Sequence, residues 1–341
     1  PFQWQPVRWR RYFMRGARFA LLALGMVLCL TLLWRIGLGP VFSALGMLSW
    51  RLPLVLCFPA CLMIACDTLG WRFAFPSDRV PFRALVAARL AGEALNISTP
   101  TASVGGEPVK AWLVRAYVPL SESLPSLVIA KTTITIGQAL FLLLGIVVAW
   151  PLLPAGSHLL QRMQWLLVLE CLGTAGFVAV QVFGGPRGFG WVLGRLGLLG
   201  SSDRRPMLDQ VERAFANFYR RQPLRLGLSI GWHLAGWVLG VLEAYCILHL
   251  LGFPVSLGLA TVVDAFGAGV GFAAFFIPAR LGAQEAGDVA VFTALGFGAP
   301  AGLAFSLVRR LREVLWAVIG FVALAVLSRR SATVPALELG G

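Results

Sequence analysis

The stretch Leu95–Trp112, LNISTPTASVGGEPVKAW, constrains the chain more than any other. It sits between hydrophobic segments. Yet Asn96, Ser98, Thr99, Thr101 and Ser103 are polar, Pro100, Gly105, Gly106 and Pro108 break helices, and Glu107 and Lys110 carry charge. Backbone that leaves a helix at membrane depth survives only inside protein or against a water-filled cavity. The stretch therefore reads as the tip of a helical hairpin pointing into a polar pocket; the alternative is an aqueous loop. A second copy, FFIPARLGAQEAGD (Phe275–Asp288), favours the hairpin. Pro100 to Glu107 and Pro278 to Glu285 are both steps of seven residues, and Lys131 and Arg309 each follow their glutamate by 24. Internal symmetry of this kind points to the binding site of a membrane protein built from two halves.

The flanking segments must then cross a bilayer. The chain is 58% hydrophobic and 13% charged, with a mean hydropathy of +0.79. Several apolar runs reach the ~20 residues needed to span a hydrocarbon core. A net charge of +14 might suggest nucleic acid, but the arginines gather at the ends of apolar runs. That is the pattern of cytoplasmic loops, not of a binding stripe. Six full spans are expected: Ala17–Ile36, Leu52–Trp71, Ser123–Trp150, Leu160–Phe183, Leu224–Leu251 and Ala301–Leu327. Two re-entrant hairpins are expected beside them, with arms Ala84–Thr99 and Pro108–Val118, then Leu257–Ile277 and Gln284–Gly298. The run GAGVGFAA (Gly267–Ala274) would allow close helix packing.

Three full spans separate the hairpins, so they enter from opposite sides. The expected fold is a single all-α membrane domain over residues 1–341. It is an inverted repeat with four segments per half, residues 17–150 and 160–327. The arginine-rich N-terminus reads as an interfacial anchor before an uncleaved first span, with both termini cytoplasmic. The linker 184–223 is basic. Leu208, Val211, Phe215, Phe218 and Tyr219 fall there at helical spacing, which predicts an amphipathic helix on the membrane surface.

Charge inside an apolar helix costs roughly 2.5–3.5 kcal/mol on insertion scales, so each such residue is a functional candidate. The candidate substrate-binding residues are Glu107, Lys110, Lys131, Arg280, Glu285, Arg309 and Arg310. The candidate tip residues are Asn96, Thr99, Pro100, Gly105, Gly106, Pro278 and Gly282. Symmetry pairs Glu107 with Lys131 and Glu285 with Arg309. Spacing pairs Arg89 with Glu93 on one helical face. The last span holds three arginines and only Glu313 to balance them, which leaves Arg310 as a spare cation. A guanidinium facing a cavity suits an anionic group, which it binds bidentately. The plainer alternative is that the pairs only neutralise one another and fix the hairpins.

Lys110 and Lys131 are the only lysines among 29 basic residues. The six cysteines all fall in apolar runs and read as small packing residues. There is no nucleotide loop, Gly-x-Ser-x-Gly or metal spacing, so no cofactor or metal is implied, and His158, His233 and His249 are scattered.

From about Leu52 to Leu327 the motifs resemble the flippase-like membrane domain of lysylphosphatidylglycerol synthases and its stand-alone relatives. PARLGAQEAG (Pro278–Gly287) with SLVRRLRE (Ser306–Glu313) is most similar to the members associated with hopanoid biosynthesis. The family's core positions fall on Pro100, Gly105, Gly106, Glu107, Pro278, Gly282, Glu285, Arg309 and Arg310. The chain departs where the family places glycine after each motif proline: Thr101 and Ala279–Arg280 stand here instead. The resemblance does not reach the aminoacyl-transfer domain, so it implies no enzyme activity. It implies movement of a polar-headed or anionic lipid, a hopanoid derivative among the options, across a bacterial inner membrane. Lipid-biosynthesis enzymes would be partners, and nucleic acid would not. The competing readings are a subunit that presents lipid to a partner enzyme and an integral-membrane enzyme acting on lipid.

Overall fold

A computed structural model describes residues 51–98, 105–154, 156–183, 213–215 and 217–332. Every regular element among them is helical: α1 (Leu52–Phe73), α2 (Phe82–Ser98), α3 (Glu107–Val114), α4 (Leu120–Leu152), α5 (His158–Phe183), α6 (Pro223–Leu250), α7 (Leu257–Ala273), a 3₁₀ turn (Pro278–Arg280), α8 (Ala283–Ala294) and α9 (Ala299–Ala332). The expected first span, most of the basic linker, and Thr99 and Pro100 of the first tip lie outside the described residues.

Four of these helices, α1, α4, α5 and α6, are long and apolar enough to cross a membrane. Many of their exposed side chains are apolar too, among them Val147, Trp165, Leu172 and Leu224. That is the surface expected against lipid tails, not water. Helix α9 is 34 residues long, but Arg309, Arg310, Arg312 and Glu313 interrupt its apolar character. The short helices come in two out-and-back pairs. Helices α2 and α7 have 17 residues each, about 26 Å, and return through α3, with 8 residues, and α8, with 12.

The chain punctuates these helices in recognisable ways. Ser256 caps α7, its hydroxyl accepting from the Leu259 amide at 3.2 Å. Gly252, Gly296 and Gly298 take the left-handed conformations that follow α6 and α8. Helix α7 stops at Ala273, earlier than the predicted Ile277. The reason is local: Pro278 disfavours helical backbone in the residue before it, and Ile277 is extended.

Packing is reciprocal. Helices α1 and α6 lie along each other; α2 packs on α9, and α7 packs on α4. One apolar cluster joins α4, α6, α7, α8 and α9 through Phe141, Ile247, Val263, Phe292 and Phe305. Another joins α1, α2, α3 and α4 through Trp71, Leu85, Val114 and Ile129. The small-residue run of α7 does what its composition predicts: Gly269 lets Leu142 and Leu166 close on the helix, and Gly267 and Gly271 admit the polar side chains of α8.

The helix expected on the membrane surface is corrected in part. Phe215 and Phe218, at 5% and 3% exposure, belong to the second apolar cluster, and the Tyr219 hydroxyl donates to Gln181 at 2.8 Å. The described part of that apolar face, Phe215, Phe218 and Tyr219, packs on protein; Leu208 and Val211 lie outside the described residues. On the same side, Arg225 reaches back to the loop after α1. It donates to the Phe75 and Arg72 carbonyls at 2.7 and 3.0 Å and to Asp78 at 2.6 Å. That hydrogen bond holds the Asp78 carboxyl below its ordinary range.

Candidate functional site

Each hairpin carries a cluster of charge into the apolar interior. In the first, Lys110 is 4% exposed, with its ammonium 3.0 Å from both Glu93 and Glu107. Glu107 also reaches Lys131 on α4 at 3.4 Å. Arg89 does not pair with Glu93, one turn along its own helix, but crosses to Asp67 on α1 at 2.6 Å. Lys110, coming from the returning arm, takes Glu93 instead. Three acids thus face three bases.

Asn96 braces this arrangement. Its carbonyl oxygen accepts the Gly106 amide at 2.7 Å, and its amide group donates to Glu107 at 3.3 Å. It sits in the last turn of α2, not in the tip. Gly106 meets α2 so closely that a Cβ there would collide with the backbone carbonyl of Gly92, and Gly92 in turn carries the stem of Lys110. Gly106→Ala is therefore expected to destabilise the protein by roughly 1–3 kcal/mol or more. Gly231→Ala on α6, where a Cβ meets nothing within 4 Å, should melt at or slightly above the wild-type temperature in detergent. Equal melting of the two variants would show that the arms need not close so tightly.

A polar recess opens at this cluster, lined by Trp71, Arg89, Glu93, Glu107, Lys131 and His233. In this conformation it has room for little more than water. Lys131 is its least engaged charge, with a 36% exposed side chain and one long ion pair. His233 is fully buried and hydrogen-bonded to Thr133 at 3.1 Å, so it supports the wall.

The second cluster corrects the expected pairing. Glu285 binds Arg310 at 2.6 Å, not Arg309. Arg309 turns the other way, onto Asp264 of α7, with Glu243 of α6 at 3.7 Å. Arg312 binds Glu243 at 2.5 Å. Symmetry of spacing misled here because successive residues of a helix point about 100° apart, so neighbouring arginines meet different partners. Arg309, Arg310 and Arg312 of α9 are balanced by acids from three other helices.

Arg310 is the opposite of spare. Besides Glu285 it binds Glu313 at 2.7 Å, and it donates to the carbonyls of Ala279 and Arg280 at 2.7 and 3.2 Å. Those two residues are left-handed, with φ of 51° and 54°. They stand where the resembled family places glycine, so Arg310 holds a tip that would otherwise relax. Glu285 also accepts the Gly282 amide at 2.7 Å, tying the start of α8 to the same knot. Pro278 is buried in the 3₁₀ turn. Arg280 is 38% exposed and pairs with Glu313 at 3.2 Å.

The two clusters back onto one helix. On α6, a Cβ at Gly236 would stand 2.8 Å from Asp67, and one at Gly240 would stand 2.7 Å from Asp264. These glycines are one turn apart, so carboxylates from both halves press on neighbouring turns. The second tip also packs against α2 of the first hairpin. Asp264, Asp288, Arg312 and Glu313, charges within apolar segments that the sequence also marks as candidates, join the second cluster, and Asp67, Glu93 and Glu243 complete the two. Their signal was a charge within an apolar run; their partners depend on how the helices are arranged.

The profile described as the lysylphosphatidylglycerol synthase TM region matches residues 18–321. The chain belongs to this family. It is 24% identical over 308 residues to a UPF0104 membrane protein of Methanothermobacter thermautotrophicus, an alignment covering 85% of this chain and 89% of that relative. No solved structure matches. Family and apolar helices together make this a membrane protein.

Proposed function

We propose that the protein is a lipid translocase, moving a polar-headed or anionic lipid, hopanoid derivatives included, across the membrane. The observation that carries this reading is a balanced charge network buried among apolar helices that opens to a recess beside the half-exposed Lys131. Such a site can receive a headgroup while the tail stays in the bilayer. The reciprocal packing of α2 on α9 and α7 on α4 supports an inverted repeat; six spans, two re-entrant hairpins and, from the arginine distribution, cytoplasmic termini complete the proposed topology. The headgroup contacts are assigned to Lys131 and Arg280, the most exposed cations of the two clusters. Arg309 and Arg310 hold the frame.

The test is transport by purified protein in vesicles, using a panel of labelled lipids with anionic, neutral and hopanoid headgroups. At least one polar-headed lipid should change leaflets faster than in empty vesicles. Tight binding without movement would replace this reading with a lipid-presenting subunit. Chemical conversion of the lipid would make the protein an enzyme.

A further inference from the structure

The second cluster holds one negative charge too many. Glu243, Asp264, Glu285, Asp288 and Glu313 face Arg280, Arg309, Arg310 and Arg312. Every one of these except Asp288 makes an ion pair. The first cluster has no such surplus.

Asp288 is 0% exposed and makes no ion pair among the described residues; Ser306 and Gln284 stand close enough to polarise its carboxyl, but neither oxygen has a partner in good hydrogen-bond geometry there. The helices packed on α8 are α7 and α9. From α9, Arg309 and Ser306 stand beside Asp288; on its own helix, Gln284 and Glu285 do. From α7, the titratable residue is Asp264, already bound to Arg309. Helix α7 otherwise presents Gly267, whose missing side chain leaves a space bounded by the Gln284 amide nitrogen, an Asp288 oxygen and an Arg309 nitrogen. These lie 3.3, 3.5 and 3.8 Å from where a Cβ would be. An ionised carboxylate left unpaired in such surroundings is strongly disfavoured. A metal ion would need several converging oxygens, yet two of the three groups bounding this space are nitrogen donors.

We propose that Asp288 is a proton-binding site, its carboxylate taking one proton from hydronium and releasing water. Neutral Asp288 leaves four acids against four arginines. Ionised Asp288 competes with Asp264 for Arg309, so protonation selects the partner of an arginine at the junction of α6, α7 and α9. That Arg309 exchange would couple protons to transport only if the proposed function holds; the proton site does not depend on it.

Infrared difference spectroscopy tests the site directly. Purified protein in lipid nanodiscs is compared in mildly acid and mildly alkaline buffer, with sodium or choline as the cation. The wild type should show the carbonyl stretch of a protonated carboxylic acid in acid, whichever cation is present. Asp288→Asn should lack that band and melt at or above the wild-type temperature, because it mimics the neutral form. Identical spectra from the two proteins would overturn the proposal. So would an Asp288→Asn protein that fails to fold, since the negative charge would then be structural. So would a band that sodium abolishes, since the occupant would then be a metal cation. Transport is not read in this experiment, so a protein that moves no lipid can still pass it.

Discussion

Arg310→Ala is expected to melt far below the wild type in detergent and to aggregate when purified. Removing one partner from a buried ion pair costs roughly 3–5 kcal/mol. Here the buried Glu285 loses its one ion-pair partner among the described residues, and the half-buried Glu313 is left with Arg280 alone at 3.2 Å. The same change strips donors from the carbonyls of Ala279 and Arg280, whose left-handed backbone costs roughly 1–3 kcal/mol at each residue. Arg310→Lys should recover only part of the loss, because an ammonium cannot reproduce a planar fork that serves two carboxylates and two carbonyls. Ala279→Gly added to Arg310→Ala should recover some stability by removing strain, and this separates the strained tip from the lost charge. Melting of Arg310→Ala within a few degrees of the wild type would mean that the tip holds its shape unaided. A lost transport signal in this variant says nothing about the headgroup, because the hairpin itself is at stake.

That role was not readable from the sequence, although Arg310 itself was. Intramembrane charge marks a residue as consequential whatever its partner, so both glutamates, both lysines and the arginines of α9 stood out. The partner depends on which face of a helix turns inward and which helix stands opposite. Arg89 illustrates the limit: one helical turn offered Glu93, and tertiary packing supplied Asp67 across the α1–α2 contact. The same limit exchanged Arg309 and Arg310. The breaks between the short paired helices were legible because proline and glycine act locally, and the GAGVGFAA run because small side chains permit close approach whatever packs on them. The fate of Phe215 and Phe218 was not legible, since an apolar face predicts burial without saying whether lipid or protein provides it.

Lys131→Gln is the converse experiment and bears most directly on function. Its side chain lies at the recess, 36% exposed, 3.4 Å from a carboxylate that Lys110 already serves at 3.0 Å. Because the 13% exposed Glu107 keeps Lys110, losing this longer contact to a 36% exposed lysine should change stability by only about 1 kcal/mol. A headgroup would lose a charge-assisted contact worth roughly 1.5–3 kcal/mol, about a ten- to hundred-fold loss in affinity. Lys131→Arg keeps the cation and should retain most of the wild-type behaviour toward an anionic headgroup. The measurements are thermal denaturation in detergent, native mass spectrometry for bound lipid and leaflet exchange in vesicles, all on the same three proteins. The expected pattern is unchanged melting, lost binding and lost exchange in Lys131→Gln alone. Unchanged binding and exchange in that variant would move the headgroup away from this recess and toward Arg280 at the second tip. Lowered melting would instead show that Lys131 belongs to the frame, with Glu107 unable to stay ionised on Lys110 alone.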